Sequence, residues 1–250
     1  MSYKSTTHEE ILKLYHSSGV STTIQVAKAM LSSKTHKADK NFQAQLHGEI
    51  CESVLEVLVF DFIKRNQLEN KGWFFQKGLI LKDVANPQSD YLTELDFTVF
   101  TPQKIFAFEC KSYGGEKKIL DKGLIVKSDG YSFDVYDQHA KHFVTLANQL
   151  KAFRILNNNT KGFAPYQLVL FDFALGKTED LRTTQNKLIM PCLNETNVLN
   201  IFNLQELLKQ PVLWDIARVR KAIDIIVRAQ ESEKLDQKHL QYVKKLHKKG

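Results

Sequence analysis

The sequence has little of what marks a secreted, membrane-spanning or disulfide-stapled chain. Three of its 250 residues are cysteine, Cys51, Cys110 and Cys192. An odd, widely separated set in apolar surroundings excludes a disulfide framework and reads as reduced core thiols. No zinc-ligand spacing occurs. The eight histidines form no H-E-x-x-H, and His139 and His142, three apart, lack a third nearby ligand. No apolar run approaches the roughly 18 residues needed to cross a bilayer. The opening Met1–Glu10 is wrong for a secretory signal, so a cytoplasmic protein without a membrane partner is expected. Internal repeats and extended low-complexity tracts are absent as well. What is present, 43% hydrophobic and 25% charged residues with a net charge of +7, is the composition of an ordinary globular chain long enough for one sizeable core with appendages.

The most informative segment is Thr93–Phe100 followed by Ile105–Lys111. Both stretches are rich in aromatic and branched residues and are joined by the short polar turn Thr101–Lys104, so they read as a β-hairpin. If Phe100 stands opposite Ile105, antiparallel counting sets Asp96 opposite Glu109 and Glu94 opposite Lys111. Asp96, Glu109 and Lys111 then share one face. The other face carries Leu95, Phe97 and Val99 against Phe106, Phe108 and Cys110, with no charge among them. Two carboxylates about 5 Å apart repel by roughly 3 kcal/mol at an effective dielectric near 20, so something must offset them. A divalent cation with oxygen ligands does so simply, because Mg²⁺ is typically held by one or two carboxylates and keeps waters in its other positions. A wet sheet face with Lys111 and Glu94 as cross-strand ion pairs gives the same pattern.

The string Glu94-Leu-Asp96, a turn, and Phe108-Glu109-Cys110-Lys111 resembles the D…(D/E)-x-K signature of restriction-endonuclease-like nucleases. More narrowly, the chain resembles the nuclease-related domain (NERD) family. His47-Gly48-Glu49 opening a helix upstream, Gly114-Gly115 after the lysine, and Gln138-x-x-x-His142 opening a helix downstream carry that narrower likeness, which covers about Gln45 to Phe173. The resemblance implies that Asp96 and Glu109, joined by the main-chain carbonyl of Cys110, bind Mg²⁺ or Mn²⁺. It implies that Lys111 positions or deprotonates the attacking water, that Glu49 completes the metal shell or orients a metal-bound water, and that Gln138 fixes the lysine or the substrate backbone. The chain departs from the family pattern at Leu95, where a proline often precedes the aspartate, and at Cys110. Neither change removes a functional group.

Helical geometry singles out Glu49 independently. Ile50, Val54, Val57, Leu58 and Phe62 follow a helical period, while Glu49, Glu52 and Glu56 form a separate acidic stripe. Following Gly48, Glu49 is expected in the first turn of its helix, where the dipole favours a carboxylate. Glu52 is the substitute if Glu49 is misplaced, although glutamates that happen to line up on a surface helix look the same.

Trp73–Leu81 reads as a strand leading to a polar loop with Pro87. Leu124–Lys127 and Tyr131–Val135 read as a second hairpin around Ser128-Asp129-Gly130. Asp137–Ile155 reads as a helix with Val144, Ala147, Leu150 and Phe153 on its buried side and Gln138, Lys141, His142 and Thr145 on its polar side. The continuous apolar run Leu168–Phe173 suggests a strand covered on both faces. This order predicts an α/β fold: a restriction-endonuclease-like core with a mixed β-sheet flanked by helices, plus helical extensions at both ends. The expected divisions are residues 1–44 as a helical N-terminal extension, 45–176 as the nuclease-like core, and 177–250 as the remaining core edge and a basic helical extension.

From Pro211 onward ten Lys or Arg oppose five acids, so most of the positive excess lies in the tail. Val212–Ala229 and Leu235–Leu246 both read as amphipathic helices. Arg218, Lys221, Lys244 and Lys245, with Lys141 and His142 of the central helix, are the candidate nucleic-acid contacts. Solvated basic helix faces, or a homo-oligomer contact through Leu235, Leu240, Val243 and Leu246, are the alternative uses of the tail. Near the N-terminus, His8–His16 and Thr22–Leu31 have helical patterning, with Ser21 or Thr22 as N-cap and Ser32–Lys40 as a polar linker. The expectation is a Mg²⁺-dependent nuclease acting on phosphodiester bonds, most simply in DNA. A non-catalytic nucleic-acid- or partner-binding module on the same fold, and a nuclease subunit active only in a complex, are the alternatives.

Overall fold

A computed structural model describes residues 4–32, 40–86, 88–89, 91–111, 115–121, 124–155, 166–173, 177–183, 189–192 and 200–247. Residues 33–39 of the expected linker Ser32–Lys40 lie outside the described residues, as do Pro87 and Gly114, whereas Ser32 and Lys40 themselves are helical. The chain is α/β and divides into two compact units, each assembled from three separated segments.

The first unit comprises Met1–Leu68, Glu109–Val135 and Val169–Leu204. Helix α1 (Lys4–Ser32) breaks at Gly19, whose φ of 77° is open to glycine and strained for other residues. The expected pair of N-terminal helices is present as two helical runs that meet at this break. α1 packs on α2 (Lys40–Arg65), burying Ile11, Ala27 and Leu31. Polar links reinforce this contact: His8 Nδ1 lies 3.1 Å from Ser53 Oγ, and Tyr15 donates its hydroxyl to Asp61 at 3.2 Å. Burial first, and Asp61 second, raises the Tyr15 phenol above its ordinary pKa. A four-stranded sheet in the order β6-β5-β4-β8 is built from β4 (Lys117–Ile119), β5 (Leu124–Lys127), β6 (Ser132–Asp134) and β8 (Thr178–Asp180). It is mixed, since β4 runs antiparallel to β5 but parallel to β8.

The second unit comprises Glu69–Phe108, Tyr136–Leu168 and Gln205–Gly250. It holds β1 (Phe74–Lys82) and β2 (Leu92–Phe100), paired antiparallel from Phe74↔Phe100 to Lys82↔Leu92. β3 (Ile105–Lys111) and β7 (Tyr166–Asp172) are strands whose residues are shared by the two units. With β9 (Ile189–Cys192) they complete a sheet of order β1-β2-β3-β7-β9. The β2–β3 turn is closed by Thr101, whose N–H and hydroxyl both donate to the Lys104 carbonyl, while Trp214 Nε1 donates to the Thr101 carbonyl at 2.7 Å. Leu168, Val169, Leu170 and Phe171 are all buried, as a strand covered on both faces requires.

After the short α4 (Leu204–Leu207), α5 (Ile216–Ser232) starts at Asp215, whose carboxylate accepts from the Ala217 and Arg218 amides. α6 (Leu235–His247) follows. Gln230 of α5 accepts from the Ile80 amide at 3.1 Å and donates to the Gly78 carbonyl at 3.1 Å, satisfying backbone groups on the edge strand β1. Leu235 packs in a buried cluster with Ile80 and Leu92. The tail's leading leucine is thus buried inside this unit, while Leu240 stays 59% exposed.

Two details correct the reading of the central helix, α3 (Val135–Ala152). Val144 is exposed, and the buried side is formed by Leu146, Ala147 and Leu150. His142 and Thr145 share an arc of the helix with Gln138 and Lys141, as the sequence groups them, but are buried where those two are exposed. Thr145 satisfies its hydroxyl on the Lys141 carbonyl at 2.9 Å, which lets a polar residue sit inside.

Candidate active site

In the first unit the decisive pair is Glu109 and Lys111. Residues two apart on a strand point to the same face, and Lys111 Nζ reaches Glu109 Oε1 at 2.5 Å. The Glu109 side chain is only 1% exposed and that of Lys111 16%. An ionised carboxylate at that depth requires a charged or hydrogen-bonding partner, and the lysine two residues on supplies it. The Lys111 carbonyl is itself anchored: it accepts from the Phe173 amide at 3.1 Å and from the Cys51 thiol at 3.4 Å. Cys51 also approaches the Phe171 carbonyl at 3.9 Å, so α2 grips both β3 and β7 at this level.

Glu49 is on that helix but not at its beginning. α2 starts at Lys40, nine residues before Glu49, and Gly48 is an interior helical residue, so the expected first-turn position is wrong. A single interior glycine costs a helix only about 1 kcal/mol, less than the burial of the neighbouring apolar face returns. Glu49 is 8% exposed and accepts from Gln45 Nε2 at 3.3 Å. Cys51 is two residues on, about 200° around the helix, and it is Cys51 that meets Lys111. The stripe of Glu49 continues through Ser53 and Glu56, which meet His8 of α1 at 3.1 and 3.6 Å.

In the second unit Asp96 lies on β2, half-buried, in the strand pair that the hairpin counting anticipates. The β2–β3 ladder runs from Phe100↔Ile105 to Phe97↔Phe108, the register expected for the turn. Glu94 faces Ile80 across β1 and its carboxylate lies 3.3 Å from His239 Nδ1. One residue beside Asp96 escaped the sequence reading. The β1–β2 ladder passes from Lys77↔Phe97 to Leu79↔Leu95, which leaves Gly78 opposite Asp96 with a φ of 59°. A lone glycine within a strand pattern is the signal for such a break. It leaves no side chain across from the aspartate.

The remaining candidates are placed as follows. Gln138 is exposed in the first turn of α3, and Lys141 pairs with Asp137 at 2.7 Å, which raises its pKa. Arg218 is exposed and donates to the Arg154 carbonyl at 3.3 Å. Lys221 lines, with Lys71 and Arg220, an open recess of about 590 Å³, and Arg220 lies over the Phe74 ring at 4.2 Å. Lys244 is exposed, and the side chain of Lys245 is outside the described ones.

Among the described residues no three His, Cys, Asp or Glu side chains are grouped to hold a metal. The donors named for Mg²⁺ need no such trio, since two carboxylates, a main-chain carbonyl and water form a hard oxygen set of the kind this ion takes. In that chemical sense Asp96, Glu109 and the Cys110 carbonyl fit it.

The chain matches no curated protein and no solved structure. One family does match, over residues 52–171, a stretch that includes Asp96, Glu109, Lys111 and Gln138 and begins three residues after Glu49. Over those residues the chain is similar to the nuclease-related domain family, a placement consistent with the restriction-endonuclease-like superfamily.

Proposed function

We propose that this protein is a divalent-metal-dependent nuclease that hydrolyses phosphodiester bonds in DNA. The observation that carries the reading is the buried Glu109 carboxylate in contact with the Lys111 ammonium inside the stretch similar to the nuclease-related domain family. In this reading Asp96, Glu109 and the Cys110 carbonyl hold Mg²⁺ or Mn²⁺, which supplies Lewis-acid polarisation of the phosphate and of a bound water. Lys111 holds the attacking water in line with phosphorus and places positive charge where charge builds on the phosphoryl oxygens. Cys51 and Phe173 fix the Lys111 backbone, so the ammonium is aimed by a strand rather than a loop. Glu49 and Gln138 are proposed as helix-borne assistants that orient water and backbone, and Lys141, Arg218, Lys221 and Lys244 as phosphate contacts.

The test is incubation of the full chain with supercoiled, nicked and single-stranded DNA, with Mg²⁺ or with EDTA. Cleavage that needs the metal and disappears in Asp96→Ala and Lys111→Ala supports the reading; equal cutting by those variants overturns it. A second reading, a binding module without chemistry, is favoured by Lys111 being already engaged with Glu109. It gives a gel shift and no products.

A further inference from the structure

The second unit holds an open recess that the catalytic reading does not use. About 470 Å³ in volume, it has Ala140, Val144 and Asn148 of α3 on one wall and Asp83, Ala85 and Tyr91, from the chain between β1 and β2, on the other. Ala140, Val144 and Asn148 are four apart, so they form one row along the helix. Spacing alone puts Val144 in the core, yet it is 52% exposed because it borders this opening. The second wall is anchored by polar contacts. Gln149 Nε2 donates to the Lys82 carbonyl at 3.1 Å where β1 ends, the Ala85 amide donates to Asp83 Oδ1 at 3.0 Å, and the Tyr91 amide donates to Ser89 Oγ at 3.1 Å. The rings of Tyr91 and Tyr242 of α6 meet at 89° with centres 6.1 Å apart, which fixes the orientation of Tyr91.

The walls combine flat apolar surface with hydrogen-bonding groups and no positive excess. Ala85, Ala140, Val144 and the Tyr91 ring supply the apolar part. Asn148 and the Tyr91 hydroxyl bring uncharged donors and acceptors, and Asp83, whose Oδ1 takes the Ala85 amide, brings a second carboxylate oxygen. Lys141, also at the recess, pairs with Asp137 at 2.7 Å, so its charge is offset and Asp83 tips the local balance negative. A phosphate is therefore not what the recess selects. It suits a planar, uncharged ring with apolar faces and an N–H edge, and the exocyclic amine of a base donates to a carboxylate in the way that cytosine N4 does to Asp or Glu. Inside a duplex the ring faces are covered by neighbouring bases, so the base that enters must be unpaired.

We propose that this recess takes one unpaired nucleobase of a bound strand, its ring against Tyr91 and Val144 and its exocyclic amine on Asp83. The proposal rests on the nucleic-acid reading above and narrows it to strands with an exposed, amine-bearing base. It does not depend on cleavage.

The test is fluorescence anisotropy of the full chain with labelled oligodeoxycytidylate, oligodeoxyuridylate and a blunt duplex, all in EDTA so that nothing is cut. The two strands differ at the pairing edge, where cytosine carries an amine and uracil an oxygen. The cytosine strand should bind about tenfold tighter, and Asp83→Asn, which keeps an oxygen for the Ala85 amide, should abolish or reverse that preference. Tyr91→Ala should weaken both strands about tenfold and change duplex binding less than about twofold. Because Tyr91 also meets Tyr242, a thermal melt accompanies each variant, and Val144→Gln at an exposed position should weaken both strands about fivefold without touching that contact. A wild-type chain that binds neither strand, or binds both alike, overturns the proposal. So does wild-type strand affinity in folded Tyr91→Ala and Val144→Gln, equal weakening on duplex, or free cytidine monophosphate binding as tightly as the strand. Tyr91-dependent, cytosine-preferring binding by a chain that never cuts DNA supports this inference and sinks the nuclease reading. Metal-dependent cutting with no cytosine preference does the reverse.

Discussion

The thiol of Cys51 on α2 donates to the carbonyl of Lys111 at the end of β3, 3.4 Å away. Cys51 is fully buried, whereas Cys110, one residue before that lysine, is partly exposed. Thiol reactivity requires access as well as the thiolate. Iodoacetamide applied to the native protein should therefore modify Cys110 well before Cys51, and Cys51 should become reactive only as denaturant unfolds the chain. Peptide mass mapping over time checks this; simultaneous labelling would mean that α2 does not stay seated on the strand.

Gly78 stands opposite Asp96 with a φ of 59°, a conformation that costs a side-chain-bearing residue about 1–2 kcal/mol. Gly78→Ala should lower stability by that amount in urea titration. A Cβ there would lie 3.5 Å from Glu94 Oε1, ordinary contact, so the penalty comes from backbone conformation rather than collision. Gly78→Asn, which tolerates left-handed φ better, should lose less.

The hairpin that carries the candidate site was legible because period-two alternation and a four-residue turn leave one consistent register, and Phe100↔Ile105 is the pair found. Elements without such redundancy escaped. β4 and β8 have three residues each, too few for a pattern to emerge, and their parallel pairing depends on chain segments about sixty residues apart. The start of α2 was obscured by Gly48, which punctuates a sequence but does not end a helix held by tertiary packing. Val144 fits the apolar stripe of α3 by spacing, yet the buried arc is rotated to admit His142, Thr145 and Gln149, whose polarity hid them. Gln149 reaches the Lys82 carbonyl at 3.1 Å, a partner that no local pattern reveals.

Gln230 closes the outer edge of β1 through the Ile80 amide and the Gly78 carbonyl. Edge strands with unmet backbone groups invite pairing with another chain. Gln230→Ala should cost about 1–2 kcal/mol and raise the tendency to aggregate on mild heating. Light scattering near the melting temperature, beside a matched Leu240→Ala control on the exposed face of α6, separates the two effects.

Asp180 accepts two hydrogen bonds from the Arg182 guanidinium, at 2.8 and 2.7 Å, and these hold its pKa below the ordinary carboxylate value. A depressed folded-state pKa contributes stability above the unfolded-state value, and that contribution is lost as pH falls through the folded one. Arg182→Ala should therefore lower Tm at neutral pH and make progressively less difference below the ordinary aspartate range. The pair is partly solvent-screened, so the neutral-pH effect is about 0.5–1 kcal/mol. A difference that persisted unchanged into acid would assign the role of Arg182 to packing.

Glu109 and Lys111 allow stability and metal binding to be separated without an activity assay. Lys111→Met removes the ammonium from a carboxylate that is 1% exposed and should destabilise the fold by about 3 kcal/mol, the lower end for a buried pair because Lys111 retains some solvent. Adding Glu109→Gln to that variant should restore much of the loss, since a neutral amide needs no counter-charge. If Glu109 also grips Mg²⁺, millimolar Mg²⁺ should raise the wild-type Tm through binding to the folded state alone, and EDTA should reverse the rise. Glu109→Gln should lose that response whether or not Lys111 is present. A Mg²⁺-dependent Tm shift that survives Glu109→Gln would move the ion elsewhere and leave the Glu109–Lys111 contact as a structural ion pair.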